Sequence, residues 1–185
     1  MAEPLPFFRY HPDPVETGSI VESEARCQCC GKARGYVYTA APHSEQDVPE
    51  DSLCPWCIAD GSAHKEFGAE FVDVEGISAD LPEGVVRELL ERTPGYSSWQ
   101  AEEWRDCCGD AAAFLGPYGY KEILEAQRKG ENLKEPLLEH IKARLGYADA
   151  QAALLLKSLD RFTGPAAYLF ECLKCKKRLF HVDVA

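Results

Sequence analysis

The chain has 185 residues, 45% of them hydrophobic, with nine cysteines and a formal net charge of −11. That length suits one domain, or one domain with a small appended module, and leaves ample apolar residues for a core. The acidity excludes a general nucleic-acid binder, which needs a basic face, and no apolar run approaches the about 18 residues of a membrane helix.

Residues 1–24 carry four prolines and little periodicity. Their aromatic stretch Phe7-Phe8-Arg9-Tyr10 is expected to lie on a core as an extended arm. The run Gly35-Tyr36-Val37-Tyr38-Thr39 predicts a strand. A polar loop from Pro42 to Asp51 leads to Cys54 and a short helix through Ala63 and Phe67. Asp80 and Pro82 open a helix that Thr93-Pro94-Gly95 ends. Another helix is expected from Ser97 or Ser98. In it Trp104, Cys108, Ala111 and Leu115 fall at i, i+4, i+7 and i+11, one buried face, and Gly116-Pro117 stops it. Further helices follow from Tyr120 to Lys129, around Leu137 to Leu145, and from Asp149 through Leu159. The chain closes as strand, turn and strand around Cys172 and Cys175.

Met1 to Tyr10 lacks the basic-then-apolar pattern of a secretory leader, so a cytoplasmic location is expected. Thiols stay reduced there, and nine cysteines then favour metal ligation over disulfides. Cys27-Gln28-Cys29-Cys30-Gly31 and Cys54-Pro55-Trp56-Cys57 supply two Cys-x-x-Cys pairs. Two such pairs complete a tetrahedral zinc site, here Cys27, Cys30, Cys54 and Cys57. A knuckle, a hairpin and a helix-borne second pair resemble a treble-clef finger. Cys29 is the spare thiol, read as a small side chain rather than a ligand. Cys172 and Cys175 form a third pair that needs two more ligands. Cys107, Cys108 or both are the candidates for a second zinc, with His181 just beyond the turn. Against that site, adjacent cysteines on a helix point about 100° apart. Lys176 also stands where a knuckle prefers glycine.

Two enzyme readings arise from the same residues. Cys54-Pro55-Trp56-Cys57 at a helix start looks like a thiol-disulfide centre, but the upstream pair waits to make it a metal site. His43-Ser44-Glu45 before Cys54 looks like a deaminase pattern, but the gap is too short for the intervening elements. The histidines show no triad or zinc-protease context, and no phosphate-binding loop is present. No catalytic constellation is expected.

Several strings together resemble the CbrC-like family of bacterial proteins. They are Leu5-Pro6-Phe7-Phe8-Arg9-Tyr10-His11-Pro12-Asp13-Pro14, the Cys27-to-Gly31 knuckle, Arg34-Gly35-Tyr36-Val37-Tyr38-Thr39, and Cys54-Pro55-Trp56-Cys57-Ile58-Ala59-Asp60-Gly61. Arg92-Thr93-Pro94-Gly95-Tyr96 and Tyr168-Leu169-Phe170 before Cys172 add to it. The resemblance implies association with tolerance to a nuclease-type colicin, and an immunity partner of a bacterial DNase toxin. The expected protein is therefore α+β but mainly helical, with treble-clef or ribbon-like zinc elements near both termini. Its parts would be an arm and knuckle module over 1–77 and a helical region over 78–185, packed as one unit. It would bind a basic nuclease toxin domain one to one, without touching nucleic acid or membrane. Candidate contacts are the acidic stretches Glu45 to Asp51, Glu70 to Asp80, and Glu102-Glu103. The alternatives are a thiol-disulfide redox protein using Cys54 and Cys57, or a zinc-finger adaptor.

Overall fold

The computed structural model describes residues 3–184. The arm buries Phe8, Tyr10 and His11 and leaves Phe7 in solvent. β1 (Ile20–Arg26) and β2 (Ala33–Tyr38) form an antiparallel hairpin with Val21 opposite Val37. Where one short helix was expected there are two, α1 (Pro55–Ala59) and α2 (Ser62–Phe67). Gly61 divides them in a left-handed conformation, φ 78°, that a glycine adopts without strain. α3 (Glu83–Arg92) starts directly after Pro82, whose fixed φ suits a helix entry.

The expected helix from Ser97 to Leu115 does not form, and the chain is not mainly helical. Its residues make an extended segment and then β3 (Asp106–Cys107), β4 (Asp110–Ala111) and β5 (Ala113–Tyr118). Two causes override the helical spacing. Cys108 and Gly109 both have positive φ, 58° and 67°, and close the two-residue turn between β3 and β4. The run Ala111-Ala112-Ala113-Phe114 is buried on every side, so it has no solvent face for a helix to present. Gly116 and Pro117, expected to stop a helix, lie within β5, an edge strand whose register shifts between Phe114 and Gly116. Proline is tolerated there because its missing N–H faces away from the ladder.

Three helices follow: α4 (Tyr120–Arg128), α5 (Lys134–Leu145) and α6 (Asp149–Ser158). Gly146 ends α5 in the left-handed cap expected of it. β6 (Ala166–Glu171) and β7 (Arg178–Asp183) then complete a sheet in the order β5-β6-β7. Six α-helices and three small antiparallel sheets thus make a mixed fold among the described residues.

Alternation along β6 organises the larger core. Tyr168 and Phe170 face an aromatic cluster with Tyr96, Trp104 and Phe114. Tyr96 stacks on Phe114 with ring centres 4.2 Å apart. Ala167 and Leu169 face the other way, against Ile123, Leu137, Ile141 and Leu156 of the three helices. β6 is therefore covered on both faces, which accounts for its apolar run Ala166-Ala167-Tyr168-Leu169-Phe170. A separate apolar cluster joins Phe8, Ile20 and Tyr38 to Leu53, Ile58, Phe67 and Phe71.

Candidate metal centres

The first cysteine group is built by two local turns. Cys27 begins the turn between β1 and β2, where Gly31 donates its N–H to the Cys27 carbonyl at 2.8 Å. Gly31 has φ 68°, the positive value that lets the turn close. Cys54 is the extended residue at the mouth of α1, with Pro55 in the first helical position and Cys57 one turn on. The Cys54 N–H donates to Cys27 Sγ at 3.3 Å. Sulfur separations are 3.8 Å for Cys27–Cys57, 3.8 Å for Cys30–Cys54 and 3.6 Å for Cys54–Cys57. The knuckle is thus the hairpin's own turn rather than a unit placed before it.

The second group comes from two hairpin turns far apart in sequence. Cys107 and Cys108 lie at the β3–β4 turn, and Cys172 and Cys175 at the β6–β7 turn. Cys107 Sγ is 3.5 Å from Cys108 Sγ and 3.7 Å from Cys175 Sγ. The helix objection to adjacent ligands does not apply, because the left-handed Cys108 turns its sulfur toward that of Cys107. Lys176, in the place where glycine was expected, adopts φ 62°. Its amide donates to the Cys172 carbonyl at 3.0 Å, the same knuckle bond that Gly31 makes.

Both groups of four could hold a metal ion, since the sulfurs of each lie within 4.8 Å of one another. A tetrahedron with sulfurs about 2.3 Å from its centre has edges of about 3.8 Å. The separations of 3.5 to 3.8 Å given above match it. Electrostatics point the same way. Neighbouring sulfur donors Cys54 and Cys57 pull the Cys27 thiol far below its ordinary range, while Cys54 is pushed up to about 11 by facing Cys27. The Cys175 amide leads the groups that lower Cys172 to about 6, and Cys107 is raised to about 12 by its contact with Cys108. Cys27 and Cys172 thus favour the thiolate, while Cys54, Cys57, Cys107 and Cys108 resist ionising beside them. A divalent cation removes that repulsion and allows all four to ionise.

The two groups differ in surroundings. Cys27, Cys54 and Cys57 are buried in the first apolar cluster, with Cys30 half-buried. In the second only Cys172 is buried; Cys108 and Cys175 are exposed. Lys174 and Lys176 stand beside it, and Lys174 Nζ donates to the Cys108 carbonyl at 2.9 Å.

Other singled-out residues fall elsewhere. Cys29 is half-buried against the first cluster and outside both groups of four. His43 pairs by backbone with Glu70 and joins neither group. His181, considered near the second site, lies between two carboxylates instead. Its Nδ1 is 2.7 Å from Glu103 and its Nε2 is 2.8 Å from Asp183. Arg144 also binds Glu103, at 2.8 Å. No sequence signal pointed to this network, whose members lie on β7, on α5 and in the extended segment before β3; only the two-residue spacing of His181 and Asp183 in a strand places both on one face. Glu102, proposed as a contact, is turned inward. It accepts the Tyr96 N–H at 2.9 Å and the Asp73 N–H at 3.2 Å, and burial raises its carboxyl to about 7.

A family model described as an uncharacterised protein family, UPF0167, matches residues 5–184. A Pseudomonas aeruginosa protein, UPF0167 protein PA1536, is 44% identical over 191 residues, covering 99% of both chains. UPF0167 proteins Mb2317 of Mycobacterium bovis and MT2352 of Mycobacterium tuberculosis are each 45% identical over 185 residues, covering 98% of this chain and 94% of theirs. No solved structure matches. The chain belongs to the UPF0167 family.

Proposed function

We propose that this UPF0167 member is a zinc-stabilised binding protein that neutralises a cognate bacterial DNase toxin by one-to-one association. The observation that carries the reading is the pairing of a net charge of −11 with two tetrahedral groups of four cysteines. Eight of nine cysteines are then metal ligands, and Cys54 and Cys57 are not free for disulfide exchange. The resemblance to the CbrC-like family supplies the partner class. Zinc is the favoured ion because four thiolates in a tetrahedron suit it without redox chemistry. When bound, it supplies folding energy rather than catalysis.

Acidic side chains would take the place of DNA phosphates in the toxin's basic cleft. Glu45, Asp47, Glu50 and Asp51 are exposed and stand as the better candidate contacts. Glu102 and Glu103 are withdrawn from that role, because internal donors hold both. Charge reversal at Glu102 would disturb the fold and say nothing about the interface.

The test is protection. Purified protein at equal molar ratio should block DNA cleavage by a nuclease toxin from the same genome, and co-expression should rescue cells from it. Failure to bind or neutralise any such toxin overturns the reading in favour of a zinc-finger adaptor. Insulin reduction that depends on Cys54 in zinc-loaded protein would instead establish the redox alternative.

A further inference from the structure

We infer that the second cysteine group is an oxidation site, at which a hydroperoxide joins Cys107 to Cys175 and expels the metal while the first group stays intact. The inference needs a metal in the second group but not a toxin partner. Its basis is the contrast between two sites with the same ligands. In the first, three cysteines are buried in an apolar cluster that also contains Trp56, Ile58 and Phe67. Without opening that cluster an oxidant meets only the half-buried Cys30. In the second, Cys108 and Cys175 face solvent. A metal-bound thiolate remains a nucleophile, so exposure decides which group reacts first.

Geometry selects the bond. Cys175 is exposed, and its sulfur lies 3.7 Å from that of Cys107. Cys108 is nearer to Cys107, at 3.5 Å, but adjacent cysteines hold their Cα atoms closer than a disulfide prefers, so Cys175 is the partner that distance and backbone geometry together select. The sulfur of Cys175 attacks one peroxide oxygen. An S–O bond forms, the O–O bond breaks, and the departing oxygen leaves as the alcohol, or as water from hydrogen peroxide, after taking a proton. The Cys107 thiolate then attacks the Cys175 sulfenic sulfur, and hydroxide leaves as water with a second proton. Two thiolates, one hydroperoxide and two protons thus give one disulfide, one alcohol and one water. The two sulfurs lose the two electrons that the peroxide gains. Two of four ligands are gone, and a thiol reductant restores them.

The structural consequence lies in the segment the metal holds. β3 and β4 have two residues each, too few to be stable alone. Metal bonds from Cys107 and Cys108 tie this hairpin to the β6–β7 turn. Further anchors are Asp110, which accepts from Tyr10 Oη at 2.8 Å and Arg9 at 2.6 Å, and the Cys108 carbonyl, which accepts from Lys174 Nζ at 2.9 Å. Oxidation keeps the link through Cys107 and frees the Cys108 sulfur, leaving its carbonyl on Lys174.

The experiment treats zinc-loaded full-length protein with a few molar equivalents of hydrogen peroxide. A chromogenic chelator follows zinc release, and alkylation with mass spectrometry maps the thiols. The expected result is release of one of two zinc ions, a peptide pair linked through Cys107 and Cys175, and reduced Cys27, Cys30, Cys54 and Cys57. Dithiothreitol followed by zinc should restore the starting state. Cys175→Ser should abolish the link while Cys54 and Cys57 still hold the first zinc. Fewer than two zinc ions before treatment, loss of both together, loss of neither, or a disulfide in the first group would each overturn the proposal.

Discussion

At the residue scale, Cys54 bears the most weight. It caps α1, its amide bonds Cys27 Sγ, and its sulfur lies 3.8 Å from Cys30 and 3.6 Å from Cys57. Cys54→Ser should remove one metal and loosen residues around the first apolar cluster. Metal analysis and thermal denaturation check this, and unchanged values in both would refute it. His11 gives an independent test without metal. It is fully buried, with Nδ1 2.7 Å from the Pro94 carbonyl and Nε2 2.7 Å from Thr17 Oγ1. Burial lowers its pKa from an ordinary 6.5 to about 4. Above pH 6.5 the ring is neutral in both folded and unfolded chains. As pH falls toward 4 only the unfolded chain takes up the proton, so stability falls across that window, by roughly 3 kcal/mol in the limit. An NMR titration of the ring should find it neutral at pH 5.5; a midpoint near 6.5 would contradict the burial argument.

At the element scale, the β3–β4 hairpin joins the N-terminal arm to the C-terminal turn. Asp110 holds it to the arm through Tyr10 and Arg9, and at the C-terminal turn Lys174 bonds the Cys108 carbonyl while Cys175 Sγ lies 3.7 Å from Cys107 Sγ. Asp110→Ala leaves the buried Tyr10 hydroxyl without its partner and should cost roughly 2 kcal/mol, read from denaturant midpoints at unchanged slope. The helices on either side were legible because their signals are local: a Pro82 entry, a Gly146 exit and apolar spacing along α4 to α6. The hairpin was not. Trp104, Cys108, Ala111 and Leu115 share a helical spacing by coincidence, and what decides their structure lies outside the segment. Phe114 pairs with Phe170, and Cys107 meets Cys175, partners more than fifty positions away. β1 was missed for a related reason. Its Glu22, Glu24 and Arg26 are exposed, and pairing with β2 rather than apolar alternation defines it.

At the scale of the whole molecule, the cysteine spacing pointed to the first group of four before the fold was known and offered the second only as a candidate, with its ligands beyond Cys172 and Cys175 open, while the partner surface was not visible at all. Acidic residues were counted in the sequence, but their use depends on three-dimensional neighbours, as Glu102 and Glu103 demonstrate. The charge of −11 should make association with a basic partner fast and steeply salt-dependent. In stopped-flow measurements, raising salt should slow the on-rate far more than it changes the off-rate; an on-rate insensitive to salt would remove electrostatic steering from the account. The central claim is that both cysteine groups hold zinc as structural ligands rather than acting as free thiols. Native mass spectrometry of protein purified without chelator, paired with elemental analysis, tests it most directly. The account predicts two zinc ions per chain. Metal-free protein with eight alkylatable thiols in the two groups, or a disulfide between Cys54 and Cys57 in freshly isolated material, would contradict it.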